Sequence, residues 1–216
     1  MTTQRTRVKF CGMTRVDDAL QAVALGVDAI GFVLTRKSKR FAGIERAREI
    51  RRALPPFVAA VALFMDDDVS FVAEVIAAVA PDLLQFHGSE TAPDCVRYGR
   101  PYLKAVAMGG GQYWQPVVSA HPQAAGFLFD GHAAGAQGGS GQGFDWSVLP
   151  RDIGKPVLLA GGLVAENVGA AIRTVRPYAV DVSSGIEAAP GIKDADKMRR
   201  FIAAVRAADG RAADEV

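Results

Sequence analysis

Eight short apolar runs alternate with amphipathic or turn-rich stretches, polar residues recur at the C-terminal end of nearly every run, and 17 of the 23 glycines lie after residue 108. Together these observations predict an α/β fold, a single compact (β/α)8 TIM barrel of the phosphate-binding type. Continuous apolar strands separated by amphipathic helices imply a parallel sheet covered by helices. Barrels carry their chemistry at the C-terminal strand ends and in the loops that follow. Glycine crowded into one half of a chain suits a backbone that must approach a ligand closely.

The first strand is predicted over 8–11, followed by Gly12 and Thr14 as turn and cap signals. Asp17 and Asp18 then fall in a first helical turn, where carboxylates complement the helix dipole. Ala19, Ala22, Val23 and Leu25 share an apolar face, and Gly26 stops the helix. Strand 29–34 precedes helix 44–54, ended by Pro55-Pro56, and strand 58–64 precedes helix 69–80, stopped by Pro81. Strand 83–86 leads to a short helix over 93–98, and strand 102–106 to a poorly periodic segment over 112–120. Strand 126–129 opens the glycine-rich loop 131–143. Strands 157–160 and 179–182 precede helices 167–175 and 195–208, and 209–216 is expected to fray. An open doubly wound sheet is the competing arrangement, but it would need a GxGxxG fingerprint at the first turn, which Cys11-Gly12-Met13-Thr14 lacks.

The 216 residues carry 25 Lys+Arg against 23 Asp+Glu, a net charge of +2, and half of them are apolar. That balance predicts one domain over 1–216 with its core over about 7–206, and argues against a nucleic-acid partner, which asks for a concentrated basic surplus. The longest apolar run, 57–65, is half of the ~18–20 residues that span a bilayer. Two cysteines make no disulfide framework and no zinc pair. The expectation is a cytoplasmic protein with no membrane partner and no metal, acting as a monomer or homodimer.

The strand ends supply the candidate site. Strand one ends at Cys11, strand four at His87 and strand six at Asp130, while Arg36, Lys37, Ser38, Lys39 and Arg40 follow strand two. Gly138-Gly139-Ser140-Gly141, Gly161-Gly162 and Ser183-Ser184-Gly185 follow strands six to eight. On consecutive loops of a barrel's phosphate-binding side they can present unobstructed N–H groups, and a short helix after strand eight would add its positive end. Gly139, Ser140, Gly141, Gly161, Gly162, Ser183, Ser184 and Gly185 are therefore the candidate phosphate ligands. No Walker loop competes, because Gly154-Lys155 runs into Pro156. His87 suits either a hydrogen-bonding role at the site or packing. His121 and His132 lack ligand-like spacing and are expected to be exposed, Cys95 to be structural, and Asp145-Trp146 to start a helix.

The segments Lys9-Phe10-Cys11-Gly12-Met13-Thr14, Gln85-Phe86-His87-Gly88, Ala160-Gly161-Gly162-Leu163 and Asp181-Val182-Ser183-Ser184-Gly185-Ile186-Glu187, with Pro190-Gly191-Lys193-Asp194, occur in one order along the chain. In these and in Phe129-Asp130 the chain resembles the phosphoribosylanthranilate isomerases, over about residues 7–206. The resemblance implies a phosphosugar substrate, no cofactor, and an Amadori rearrangement of an aminoaldose to an aminoketose in tryptophan biosynthesis. It also implies that Cys11 is the general base, Asp130 the general acid and Arg40 the partner of the substrate carboxylate; His87 and Asp181, from their places on strands four and eight, are further candidate substrate contacts. A thiol with a reference pKa of ~8.5 needs help to act as a base, and a carboxyl of ~3.9 needs help to act as an acid. Lys9 is a candidate helper of Cys11, at the same strand parity. Phe86, Asp66 and Gly131-His132 depart from the family pattern. Other phosphosugar-barrel enzymes use Lys/Glu sets, paired aspartates or a metal, against which the Cys11–Asp130 pairing argues. A broadened enzyme that also takes the bis-phosphorylated histidine-pathway aminoaldose would need extra cations, for which Arg36 and Lys37 are candidates. A silent phosphate-binding regulator would have lost the acid or the base.

Overall fold

The computed structural model of the chain describes residues 5–109, 113–133, 144–149 and 152–210. Eight strands close a barrel in sequence order: β1 (Arg7–Phe10), β2 (Ala29–Val33), β3 (Ala59–Phe64), β4 (Leu83–Phe86), β5 (Tyr102–Gly109), β6 (Gly126–Ala133), β7 (Val157–Leu159) and β8 (Ala179–Val182). Every neighbouring pair is parallel, and β8 closes onto β1 with Lys9 opposite Asp181. The connections carry α1 (Val16–Ala24), α2 (Ile44–Ala53), α3 (Val69–Val79), α4 (Ala92–Val96), α5 (Gln115–Ala120), α6 (Ala165–Val175) and α7 (Ala195–Ala208). Among the described residues between β6 and β7 stands a 3-10 turn, Trp146–Val148.

Local chemistry accounts for several boundaries. Leu54 is extended (ψ 132°) where α2 ends, because Pro55 disfavours a helical residue before it. Thr91 and Asp94 form a reciprocal capping box that starts α4 one residue before the predicted helix. Asp194 accepts from the Lys197 amide at 2.9 Å and starts α7, and Asp145 accepts from the Ser147 amide at 2.9 Å, so Asp145-Trp146 does begin a helical turn. Asp17 and Asp18 stand in the first turn of α1 as predicted. Asp18 is also buried and accepts from the Lys193 amide at 3.0 Å. A departure follows β8, where the sequence pattern predicts only a short helix. A three-residue 3-10 turn, Ser184–Ile186, runs into a small antiparallel hairpin of β9 (Glu187–Ala189) and β10 (Ile192–Lys193).

The strand alternation sorts side chains into an outer and an inner layer. Val8, Phe10, Ile30, Phe32, Ala62, Phe64, Leu84 and Phe86 face outward and join the layer under the helices. Leu103, Ala105, Leu128, Leu158, Ala160 and Ala179 fill the barrel itself. Phe86 lies in the outer layer against Phe64, Tyr98 and Tyr102, so its departure from the family pattern changes helix packing and not the barrel interior. The inward parity on β1, β4, β6 and β8 belongs to Lys9, Gln85, Asp130 and Asp181, all buried. Buried polar groups of this kind must find partners within the barrel.

His121, expected to be exposed, is buried at the end of α5, with Nδ1 3.3 Å from the Tyr102 hydroxyl. Burial, with Lys104 adding to it, lowers its pKa to about 4. Its folded pKa lies below its unfolded one, so the unfolded chain takes up the proton first. The stability His121 contributes is complete above about 6.5 and is lost as the pH falls towards 4, a loss on the order of 2 kcal/mol. Urea unfolding should show a larger drop in midpoint between pH 7 and pH 4.5 for the natural chain than for His121→Gln. Equal drops in the two proteins would refute this account.

Candidate active site

At the C-terminal end of the strands opens a cavity of about 680 Å³, counting its mouth. Cys11, Arg40, His87, Asp130, Asp181, Gly161, Gly162, Ser183 and Ser184 all line it, with Val33, Leu63, Met65 and Leu163 as its apolar wall. These groups come from six different βα junctions, and the barrel closure is what gathers them. Gly185, the remaining described member of the predicted phosphate loops, does not line the cavity and instead packs against the Leu163 carbonyl. Gly139, Ser140 and Gly141 lie outside the described residues, as does the His132 side chain.

Cys11 continues β1, its amide donating to the Val182 carbonyl at 2.9 Å, and its side chain faces inward with Lys9. Two polar side chains fit side by side because the facing position on β2 is Gly31. A Cβ there would lie 2.8 Å from Cys11 Sγ and 3.1 Å from Lys9 Nζ. Burial pushes the Cys11 thiol up, whereas Lys9, within hydrogen-bonding reach, draws it down, and Asp181 offsets part of that help. Burial also weighs against the Lys9 charge, but Asp181 and Cys11 outweigh it and raise the ammonium above its ordinary value. Lys9 Nζ lies 3.0 Å from both Asp181 oxygens. Asp181 thus faces the cavity with its carboxylate already engaged.

Asp130 enters from β6, and Gly161, at φ +87°, lies so close that a Cβ would fall 2.9 Å from Asp130 Oδ1 and 2.3 Å from the Gly131 nitrogen. Only a glycine satisfies both that conformation and that approach. His87 Nε2 stands 3.3 Å from Asp130 Oδ2, and the Gln85 amide nitrogen 3.0 Å from His87 Nδ1. With Gln85 donating to Nδ1, the neutral imidazole keeps its proton on Nε2 and presents it to the Asp130 carboxylate. His87 is therefore a hydrogen-bonding group at the site. Gln85 is legible in sequence only as a polar residue at an inward position of an apolar strand, and its part in orienting the imidazole comes from its 3.0 Å contact with His87 Nδ1.

Arg40 reaches the cavity rim from the loop after β2. Its Nε and Nη2 donate to Glu187 Oε1 and Oε2, each at 2.8 Å. Glu187 in turn accepts from Lys193 Nζ at 2.9 Å, and Lys193 also donates to the carbonyls of Cys11 (2.6 Å) and Ser183 (3.1 Å). Burial alone would raise the Glu187 carboxyl, but Arg40 and Lys193 overcome it and hold it below the carboxylate range. The β9–β10 hairpin is thereby tied to the loops after β1, β2 and β8. Glu187 and Lys193 were visible in sequence only as parts of a motif.

On the phosphate side, the Ser183 hydroxyl is buried with no hydrogen-bond partner among the described residues. Arg36, Lys37 and Lys39 are exposed and do not line the cavity, and the Arg36 guanidinium lies over the Phe71 ring at 5.0 Å. Asp66 is likewise outside this cavity and accepts from the Ser89 amide at 2.7 Å. Its φ of +53° suits Asp or Asn alike. Burial pushes Cys95 up to about 12, as expected of a structural thiol. Among the described residues no group of three or more His, Cys, Asp or Glu side chains is placed to hold a metal ion, and no helix is long and apolar enough to cross a membrane.

Residues 8–204 match the family model of N-(5'-phosphoribosyl)anthranilate (PRA) isomerase. The N-(5'-phosphoribosyl)anthranilate isomerase of Pseudomonas aeruginosa (strain UCBPP-PA14) is 54% identical over 200 residues, covering 93% of this chain and 95% of that protein. The crystal structure of phosphoribosyl anthranilate isomerase from Thermotoga maritima superposes with a TM-score of 0.85 at 40% identity, over 94% of this chain and 99% of that one. A crystal structure of the same kind of enzyme, in complex with reduced 1-(o-carboxyphenylamino)-1-deoxyribulose 5-phosphate, gives a TM-score of 0.82 at 38% identity over 94% and 99%. Sequence and barrel point the same way, and the chain belongs to the phosphoribosylanthranilate isomerase family.

Proposed function

We infer that this chain converts N-(5-phosphoribosyl)anthranilate into 1-(2-carboxyphenylamino)-1-deoxyribulose 5-phosphate, an Amadori rearrangement in tryptophan biosynthesis, with Asp130 as general acid and Cys11 as general base. The observation that carries the residue roles is that both groups face one cavity, from strands three steps apart around a barrel of this family. Asp130, protonated, gives its proton to the furanose ring oxygen. The C1–O bond breaks as the anilino nitrogen lone pair forms C1=N⁺, leaving an open-chain iminium. That cation acidifies C2–H, and Cys11 as thiolate removes the C2 proton. The released pair becomes the C1=C2 bond, and the C=N⁺ electrons return to nitrogen. The resulting enol ketonises to the product. The substrate nitrogen serves as the electron sink.

The resting environment favours this order. Burial holds Cys11 as a thiol until a cation arrives, and the iminium then joins Lys9 in favouring the thiolate. His87 keeps Asp130 on the cavity side, and the substrate's own carboxylate is the negative charge that raises an acid's pKa. Gly161, Gly162, Ser183 and Ser184, together with Gly139, Ser140 and Gly141, supply N–H and hydroxyl donors for the phosphate, and the unpaired Ser183 hydroxyl supports that assignment. Arg40 takes the anthranilate carboxylate, for which a planar fork is suited. The same reading takes the protein to work in the cytoplasm, as a monomer or homodimer, without nucleic-acid or membrane partners.

Freshly made phosphoribosylanthranilate should be consumed at steady state, with the anthranilate fluorescence falling as product forms. The histidine-pathway aminoaldose, run beside it, should be turned over at least about a hundredfold less efficiently, since a second phosphate asks for further cations. Arg40 is the arginine that lines the cavity among the described residues, and the sequence over 110–112 and 134–143 adds no Lys or Arg. Comparable turnover of both compounds would overturn the narrow specificity, and inactivity on both would overturn the isomerase reading.

A further inference from the structure

The guanidinium of Arg40 has two edges that can bind a carboxylate in parallel, one made by Nε and Nη2, the other by Nη1 and Nη2. Glu187 occupies the first with two contacts of 2.8 Å. Its own side chain is 5% exposed, that of Arg40 13% and that of Lys193 0%. Arg40, which lines the cavity, is therefore held along one edge by a buried carboxylate, which leaves its Nη1/Nη2 edge for a further anion. A lone Glu187 would cancel the charge that makes Arg40 useful. Lys193, 2.9 Å from Glu187, leaves the three-group cluster with one net positive charge for an incoming anion. We propose that Glu187 is a positioning residue for substrate selection: it fixes Arg40 with its Nη1/Nη2 edge towards the cavity, so that the enzyme selects aminoaldoses whose aryl ring bears an ortho carboxylate. This rests on the assignment of Arg40 to the anthranilate carboxylate.

The plainer role for the same contacts is a staple, since Lys193 also holds the Cys11 and Ser183 carbonyls and so fastens the hairpin to the barrel. A staple serves every substrate alike, whereas a positioning residue serves only substrates with the carboxylate. The test compares kcat and KM of the full chain on N-(5-phosphoribosyl)anthranilate and on its counterpart made from aniline, which lacks that group, with product measured by chromatography. Glu187→Gln keeps the size and removes the charge. Its KM for the anthranilate compound should rise roughly tenfold with kcat little changed, while its efficiency on the aniline compound changes by no more than about twofold. Arg40→Ala should abolish the preference for the anthranilate compound, and adding Glu187→Gln to Arg40→Ala should cost nothing more. Equal losses on both compounds in Glu187→Gln would overturn the proposal and leave the assignment of Arg40 standing. A preference that survives Arg40→Ala would overturn that assignment, and the proposal with it. If Glu187→Gln does not fold, Glu187→Asp retracts the carboxylate by one methylene and is held to the same comparison.

Discussion

Cys11→Ala is expected to lower kcat by about 10³-fold, within the range that positioned general bases contribute. KM should stay close to that of the natural chain, because the binding groups sit on other loops. The loss is not a folding defect: removing one buried sulfur costs about 1 kcal/mol, a small part of the stability of a domain of this size. Circular dichroism and the urea midpoint should therefore be nearly unchanged. Cys11→Ser, which keeps the volume but replaces the thiol by a far weaker acid, should be as inactive as the alanine variant. Near-normal turnover in either purified variant would show that another group takes the C2 proton.

Asp130→Asn should lower kcat by about 10²–10⁴-fold, since the amide keeps the shape but has no acidic proton to give. His87 Nε2–H can still donate to the amide oxygen, so the wall of the cavity should be preserved. Loss of the acid slows ring opening, the step before C–H cleavage. Substrate deuterated at C2 should then react with Asp130→Asn as fast as the protiated compound does. A large isotope effect in that variant, or turnover close to normal, would remove Asp130 from the acid role. Among the substitutions considered, these two are expected to cost most, because each removes a group that exchanges a proton with the substrate.

Much of the barrel can be read from periodicity. All eight strands stand where apolar runs predict them, because each run is bounded by a turn residue or a proline that the backbone cannot ignore. The hairpin β9–β10 escapes that logic, since segments of three and two residues carry no period. At the site, Cys11, Asp130, His87 and Asp181 are legible as polar residues ending or interrupting apolar strands. Parity alone left the separation of Lys9 and Cys11 open, and Gly31 on a different strand decides it. The expectation of an exposed His121 fails because its burial comes from Tyr102 and the α5 packing around it, not from its own neighbours in sequence. Glu187 and Lys193 are legible only as parts of a motif after the last strand. Their burial depends on a hairpin folding back over the mouth of the barrel.

The ion pair between Lys9 and Asp181 joins residues 172 positions apart, across the seam where the last strand meets the first. During synthesis Lys9 precedes its counterion by 172 residues, so it emerges long before β8 has been made. Until β8 docks, the ammonium has no buried partner, so its desolvation opposes premature closure of the strands around it. The base beside it lacks its electrostatic environment for the same interval. Catalytic competence in this chain should thus appear late and all at once, with the final ring closure, and not accumulate as successive βα units form. Turnover by a nascent or truncated chain then reports whether β1 and β8 have met.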